Sequence, residues 1–212
     1  MAEIDEKLPE KYGITIARMM ENAGYQIAEF IRRELDPEGI TVYAGKGNNG
    51  GDALVAARRL YLWDYEVEVV LASEDLNGIR EQELEILKNI EVSLTKESAE
   101  KDYEVALEGL IGYNLNGDPR PPFDSMIEEV NSFDEVVSID IPTGIDADTG
   151  ERSEPSIEAD YTVTLAMPKK VMNPENSGNI WVADISIPPE VYREYGLSGD
   201  IFEDKSLFEL EN

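Results

Sequence analysis

The sequence has 212 residues and an extreme charge balance, with 46 acidic and 18 basic side chains and a formal net charge of -28. Because non-specific binding to nucleic acids depends on lysine and arginine, this charge argues against a nucleic-acid partner. The chain lacks cysteine and histidine, which excludes disulfides, thiolate or imidazole metal ligands, and catalytic triads that use histidine. Any proton transfer must therefore use Asp, Glu, Lys, Tyr or water.

The composition is nevertheless that of a folded domain, because 42% of the residues are hydrophobic and the charges are spread along the chain. A folded domain with this charge repels itself, and concentrated salt screens the repulsion. We therefore hypothesise a halophilic source with a salt-filled cytoplasm. The charged N-terminus has no signal-peptide core and no apolar run is long enough to span a membrane, so we expect a cytoplasmic protein without a membrane partner.

The strongest local pattern is a strand, a glycine-rich loop and a helix. Residues 41–44 form the short β-branched and aromatic run of a buried strand, and residues 53–62 an Ala- and Leu-rich helical run. Residues 45–52 between them read GKGNNGGD. We expect a helix that begins at or just after Asp52, with its unpaired N–H groups directed at an anion such as a phosphate. A tight turn without a ligand is the alternative, although such a turn needs fewer glycines.

Strands and helices alternate through the first two-thirds of the chain. Helices are predicted over residues 14–35, 79–90 and 123–133, and from residue 188. Strands are predicted over residues 66–72, 103–107, 135–139, 161–166 and 180–187, and residues 199–212 are predicted to be an acidic tail. This order predicts one α/β domain over residues 1–212, with a mostly parallel sheet and helices on both faces. Gly24 within the first helix predicts the close approach of another backbone or of a ligand.

Three predicted strands run into polar segments that include Asn49, Glu108, and Asp140 with Thr143. Because ligands bind outside the carboxyl ends of the strands in an open α/β sheet, we expect these side chains to share one site. Their oxygen atoms suit a hard cation. Each residue also has a structural alternative, since Asp140 and Asp52 are suited to cap backbone N–H groups and Glu108 to face solvent.

Two of these segments resemble the signatures of the NAD(P)H-hydrate epimerase family, which is the YjeF N-terminal domain in its stand-alone form. Residues 45–52 are similar to the GxGNNGGDG motif, with Ala53 at the position of its last glycine. Residues 140–150, DIPTGIDADTG, are similar to the DiPSGldadtG segment. Residues 11–24 and 159–169 resemble the first helix and a late AdxTvTf…K stretch of the family, so the similarity covers residues 10–195.

The resemblance implies a Rossmann-like three-layer α/β/α sandwich, usually a homodimer. It implies an enzyme that interconverts the R and S forms of hydrated NADH and NADPH by inverting C6 of the nicotinamide ring. The functional partner would be a separate ATP- or ADP-dependent dehydratase, because a chain of this length has no room for that second fold. Asp140 is our candidate for the acid/base group, since it follows a strand in an expected cleft.

The resemblance also implies ligand-binding residues. Asn49, Glu108 and Thr143 would hold a potassium ion, with Glu108 in place of the usual Asp and Thr143 in place of the usual Ser. The substrate would contact Asn48, Asn49, Gly50, Gly51, Asp52, Gly112, Tyr113, Asn114, Leu115, Asn116, Gly117, Asp118 and Asp140.

Other functions remain open on the sequence. One is a non-catalytic module of the same fold that binds a nucleotide or acts as a scaffold for RNA-processing factors. A nicotinamide-dependent dehydrogenase is disfavoured because the second strand ends in Leu71-Ala72-Ser73-Glu74 rather than cleanly in the ribose-binding acid. A P-loop NTPase is disfavoured because Lys46 precedes most of the glycines and no GxxxxGK[ST] motif is present.

Overall fold

The centre of the computed structural model, which describes residues 7–96, 98–113, 115 and 117–211, is one eight-stranded sheet. The strand order is β3-β2-β1-β4-β5-β6-β7-β8, and every pairing is parallel except that of β7 with β8. The strands are β1 (Gly39–Ala44), β2 (Glu66–Leu71), β3 (Ser93–Lys96), β4 (Val105–Gly109), β5 (Glu135–Ile139), β6 (Tyr161–Leu165), β7 (Asn179–Ala183) and β8 (Leu207–Glu209).

The helices connect these strands as the alternating sequence pattern predicts. They are α1 (Ile16–Phe30), α2 (Asn48–Leu62), α3 (Ile79–Asn89), α4 (Phe123–Val130), α5 (Pro174–Ser177) and α6 (Pro189–Glu194). A short π-helical turn, Leu8–Tyr12, precedes α1, and a π-helical segment, Ile31–Leu35, continues it. Among the described helices, none combines the length and the apolar character needed to cross a membrane.

Apolar side chains cover both faces of the sheet, which confirms the predicted α/β fold. Alternate residues of β1 point to opposite faces, so Ile40 and Val42 belong to one core and Tyr43 to the other. The larger core includes residues of α1, α2, α3 and α6, and the smaller one includes residues of α4. All six residues of β1 are buried, as expected of a central parallel strand.

Helices α1 and α2 pack closely at Gly24, as the glycine within the first predicted helix indicated. A Cβ atom at Gly24 would lie under 3.0 Å from the side chain of Val55 and from the backbone nitrogen of Ala56. A larger residue would therefore push the two helices apart. Of the two predicted reasons for Gly24, the close approach of a backbone or of a ligand, this contact supports the backbone.

The structure differs from the predicted elements at several places, three of which concern the site or the sheet. Helix α2 begins at Asn48, so the prediction of a loop as far as Asp52 is wrong. The edge strand β3 was not predicted, because its four residues carry too little apolar pattern for a strand. Within the predicted acidic tail, β8 pairs antiparallel with β7 because Leu207 reaches the larger core.

Candidate active site at the carboxyl edge of the sheet

A cavity of about 540 Å³ lies at the carboxyl ends of the central strands. The strand order reverses at β1, which has β2 on one side and β4 on the other. The loops after β1 and β4 therefore leave in opposite directions, and the crevice between them is the usual ligand site of such a sheet. A cavity of this volume is large enough for a small-molecule ligand.

Glycines bring the backbones of the β1 and β4 loops into direct contact beneath this cavity. A Cβ atom at Gly45 would lie under 3.0 Å from the carbonyl oxygen of Leu110, and one at Gly50 equally close to that of Gly45. A Cβ atom at Gly109 would meet the carbonyl oxygen of Asn49. Packing between backbones therefore explains Gly45 and Gly50, which the sequence pattern had associated with a ligand. Gly47 differs, because nothing lies within 4 Å of its Cβ position.

The early start of α2 decides which backbone N–H groups are available to a ligand. The Gly51 N–H donates to the carbonyl oxygen of Gly47 at 3.2 Å and is therefore already used. Within the described residues, the N–H groups of Asn48, Asn49 and Gly50 find no acceptor. These three groups, at the positive end of the helix dipole, are the ones that can bind an anion.

Asn49 connects the first turn of α2 to the end of β5. Its side-chain Nδ2 donates to the carbonyl oxygen of Ile139 at 2.9 Å, and the residue is buried. A Cβ atom at Gly112 would lie 3.3 Å from Oδ1 of Asn49, which places that oxygen beside the β4 loop. Asn49 therefore brings together all three polar segments that the sequence indicated.

Asp140 follows β5 in a left-handed backbone conformation, with φ of 68°. Its N–H donates to the carbonyl oxygen of Val163 at 2.9 Å, and its Oδ1 accepts the Leu165 N–H at 3.2 Å. The Lys169 ammonium donates to the same Oδ1. Among the described residues nothing donates a hydrogen bond to Oδ2, so this oxygen is available in the cavity wall.

Lys169 is the cationic partner of Asp140 and is itself largely buried. Its side chain is 11% exposed, that of Asp140 is 7% exposed, and its Nζ also donates to the Thr164 hydroxyl at 3.2 Å. A buried charge is held in place when it is both paired and hydrogen-bonded, and this pair meets both conditions. The Asp140 carboxylate therefore forms a buried ion pair and accepts one backbone N–H, which comes from the end of β6 and not from the next loop as its structural alternative predicted.

Glu108 lies within β4 and is fully buried, so its predicted alternative of facing solvent is wrong. Its Oε1 accepts the Thr143 N–H at 3.1 Å, and its Oε2 accepts the Leu110 N–H at 3.1 Å. Burial raises the pKa of the Glu108 carboxyl, and these hydrogen bonds oppose only part of that rise. In the described part of the chain, no lysine or arginine forms an ion pair with Glu108.

The surroundings of Glu108 fit a monovalent cation better than a divalent one. The Thr143 hydroxyl lies 2.8 Å from Oε2 of Glu108 and 2.9 Å from the carbonyl oxygen of Ile111. The buried Ser138 hydroxyl, beside Glu108 in the β4–β5 register, has no well-aligned partner among the described residues. One carboxylate with neutral oxygens around it carries the charge to balance a single positive charge.

The cavity brings together about half of the predicted substrate-binding residues. Its walls include Asn48, Asn49, Asp52, Gly112, Tyr113, Leu115 and Asp140. Gly50, Gly51, Gly117 and Asp118 do not line it, and neither do Glu108 and Thr143, which lie behind the wall next to Ile111. Asn114 and Asn116 lie outside the described residues.

This geometry agrees with comparisons to known proteins. A family model described as YjeF-related protein N-terminus matches residues 16–171. The chain belongs to this family. It is 34% identical over 207 residues to the NAD(P)H-hydrate epimerase of Dehalogenimonas lykanthroporepellens, covering 93% of this chain and 84% of the relative.

Two further comparisons extend the family assignment. The chain is 34% identical over 195 residues to the bifunctional NAD(P)H-hydrate repair enzyme Nnr of Hyperthermus butylicus, and spans 85% of its own length but only 36% of that relative. The crystal structure of the yeast protein YNL200c superposes with a TM-score of 0.87 at 27% identity, covering 99% of this chain and 96% of that one. The fold of this YjeF-related domain is therefore that of a solved structure over nearly its whole length.

Sequence reasoning missed several groups of the site in this YjeF-related domain. Met19 and Met20 of α1 line the cavity, although ordinary helix packing explains methionines at helical spacing equally well. Lys169 lies in a stretch that carries the family resemblance, yet nothing in its local sequence indicates its contact with Asp140. Arg80 of α3 and Lys46 also line the cavity, and no motif marks Arg80.

Proposed function

We propose that this chain is an NAD(P)H-hydrate epimerase that interconverts the R and S forms of hydrated NADH and NADPH. The family assignment and the relatives that carry this name support the activity over a non-catalytic nucleotide-binding or scaffold module. The observation that carries the proposal is the Asp140 carboxyl group, which keeps one oxygen uncommitted in the wall of the cavity. An epimerase needs one such proton-transferring group beside the reacting carbon.

The chemistry requires that a bond at C6 of the hydrated ring break and re-form. In one route the C6 hydroxyl takes a proton and leaves as water, while the ring nitrogen lone pair forms a C=N bond. Water then adds to the opposite face of C6 and returns the proton. In the other route the C6–N bond breaks, the hydroxyl loses its proton to form an aldehyde, and the nitrogen gains a proton before the ring closes. Both routes move a proton to and from an oxygen atom.

Asp140 is suited to move that proton because its Oδ2 is the uncommitted oxygen. The Lys169 ammonium and the Leu165 N–H fix the orientation of the carboxyl group through Oδ1. A fixed acid/base group loses little entropy on reaching the reactive geometry. We therefore assign Asp140 the acid/base role and Lys169 the role of positioning its carboxyl group.

Potassium is the proposed cofactor, held through Glu108, Thr143 and Asn49. The buried Glu108 carboxylate has no basic partner among the described residues, and the other two residues offer neutral oxygens. The cation would supply the missing positive charge and fix the Ile111–Gly112 segment between these side chains. We also propose that the chain forms a homodimer and lies in the cytoplasm. Its functional partner would be a separate ATP- or ADP-dependent dehydratase that acts on one epimer.

The direct test is an epimerisation assay with one purified epimer of hydrated NADH or NADPH, followed by chromatographic separation of the two epimers. The wild-type protein should form the second epimer much faster than a blank without protein. Asp140→Asn should slow this reaction about a hundredfold or more, which is the contribution typical of a general acid or base. Asparagine tolerates a left-handed backbone, so the fold should be kept.

Asp146→Asn is the matched control, because it removes one carboxylate from the same segment. The Asp146 side chain is outside the cavity and accepts the N–H groups of Asp148 and Thr149. Its activity should stay within about twofold of the wild type. A wild-type protein that does no better than the blank would refute the proposed activity, and full activity in Asp140→Asn would remove Asp140 from its role.

A further inference from the structure

Arg80 differs from most arginines of this acidic chain in its hydrogen-bond partners. Its Nη1 donates to Oδ1 of Asn48 at 2.9 Å, and its Nη2 donates to Oδ1 of Asn77. Both acceptors are neutral amides. In the described part of the chain, Arg80 forms no ion pair, although acidic residues outnumber basic ones by 46 to 18.

The positive charge of Arg80 lies in the wall of the cavity. Arg80 is the second residue of α3 and is half-buried, and its side chain lines the cavity beside the start of α2. Its Nε is buried and has no hydrogen-bond partner among the described residues. The Arg80 Cγ lies 3.1 Å from the Cβ position of Gly51, so the side chain passes directly over the first turn of α2.

Three features that favour an anion therefore meet at one end of the cavity. Arg80 is there, Lys46 lines the same wall, and the N–H groups of Asn48 to Gly50 have no acceptor within the described residues. Neither basic side chain forms an ion pair with a described carboxylate. Cationic side chains in a cavity wall favour a ligand that supplies negative charge.

We infer that Arg80 is a substrate-binding residue that contacts a phosphate group of the hydrated dinucleotide. The guanidinium is a planar fork of donors that matches phosphate oxygens, and its contact with Asn48 holds it beside the open N–H groups. The inference rests on the proposed function, because that function supplies the dinucleotide. The phosphate is either the bridging diphosphate, which hydrated NADH and NADPH share, or the 2′-phosphate that only the second carries.

The test measures equilibrium binding of NAD⁺ and NADP⁺, which carry the same phosphates and need no catalytic step. Isothermal titration calorimetry is carried out on the wild type, Arg80→Gln and Lys205→Gln at one fixed KCl concentration. Lys205 is exposed and does not line the cavity, so its replacement removes the same unit of charge elsewhere. Arg80→Gln should raise Kd about tenfold or more, the usual effect of losing a charge-assisted hydrogen bond, whereas Lys205→Gln should change it less than twofold.

The pattern of the change identifies the phosphate. An equal rise for both dinucleotides assigns Arg80 to the bridging diphosphate, and a rise for NADP⁺ alone assigns it to the 2′-phosphate. Unchanged Kd values in Arg80→Gln, equal losses in Lys205→Gln, or no binding by the wild type would each overturn the inference. Because binding is measured without turnover, a protein that binds through Arg80 but fails the epimerisation assay would refute the proposed function alone.

Discussion

Two buried glutamates lie on the same face of the sheet, Glu108 near its carboxyl edge and Glu68 near its amino edge. Both are fully buried, and both accept backbone N–H groups, from Leu110 and Thr143 in the first case and from Glu100 and Lys101 in the second. Burial and hydrogen bonding therefore do not distinguish a functional carboxylate from a structural one.

The surroundings of the two carboxylates do distinguish them. Glu68 accepts the Glu100 and Lys101 N–H groups of the segment that leads into β4, and none of these three residues lines the cavity. Glu108 shares the Thr143 hydroxyl and lies behind a cavity wall that still holds an uncommitted oxygen of Asp140 and three open N–H groups. A ligand site is recognised by the polar atoms that the fold leaves unused, and the next four predictions test this distinction.

The largest expected effect is the loss of folding at low salt, which concerns the whole domain and both ends of the strands alike. Lowering KCl from about 1 M to about 0.1 M lengthens the screening distance from about 3 Å to about 10 Å, so the net charge of -28 should unfold the protein. Circular dichroism during stepwise dilution measures the transition. Sodium chloride at equal ionic strength should screen this repulsion as well as KCl does. A melting temperature that stays constant across this range would contradict the halophilic hypothesis.

The next effect separates two of the four glycines in residues 45–51, Gly50 in α2 and Gly47 just before it. Gly50→Ala should lower the free energy of unfolding by about 3 kcal/mol, because its Cβ would collide with the Gly45 carbonyl oxygen and backbone cannot move aside easily. Gly47→Ala is the matched control. Its φ of -90° suits any residue and its Cβ position is open, so the change should stay within about 1 kcal/mol. Denaturant titration in molar KCl compares them, and equal losses would contradict the account of backbone packing.

The comparison of the two glutamates can be made directly with potassium. At about 100 times its Kd, a cation bound only to the folded state adds about 2.7 kcal/mol. Replacing NaCl by KCl at equal ionic strength should therefore raise the melting temperature of the wild type and of Glu68→Gln, but not that of Glu108→Gln. Both variants lose a buried carboxylate that accepts backbone N–H groups, so both should be less stable in either salt. A potassium effect that survives in Glu108→Gln would remove this residue from the cation site.

The smallest effect is the dependence of stability on pH without potassium. Because burial raises the pKa of Glu108, the folded state holds this proton more tightly than the unfolded state. This proton binding stabilises the folded state fully below the ordinary glutamate pKa, and the stabilisation is lost as pH rises through the raised pKa of Glu108. In NaCl, the stability of the wild type should therefore fall relative to Glu108→Gln as pH rises through this window, as measured by denaturant titration at each pH. Parallel profiles for the two proteins would contradict the predicted linkage.

Local sequence predicted the central elements because their patterns are complete within a few residues. The buried run of β1 and the alternation of strands with helices required no knowledge of distant contacts. The start of α2 was not predictable in this way, because Gly45 and Gly50 are explained by Leu110 and by each other across a loop. Strand β3 is short and only partly buried, and its pairing with β2 is a property of the assembled sheet.

The candidate site was predictable to the extent that each polar residue lies near the end of, or just after, one of the parallel strands, Glu108 within β4 and the others beyond their strands. Asn49, Glu108 and Asp140 come together because parallel strands end at one edge. Arg80 was not predictable, since it reaches the site from α3 through contacts with Asn48 and Gly51 that no sequence spacing encodes. The contact of Lys169 with Asp140 likewise depends on the turn after β6.

The contact between glycine backbones beneath the cavity also limits how this protein can acquire a new specificity. Where main chain meets main chain, no substitution can enlarge the space without separating β1 from β4. The cavity wall also contains Met19 and Met20, whose unbranched thioether side chains adapt to ligands of different shape. Libraries at these methionines and Phe123 should therefore yield variants that bind ligands of other shapes, whereas libraries at the glycines should fail.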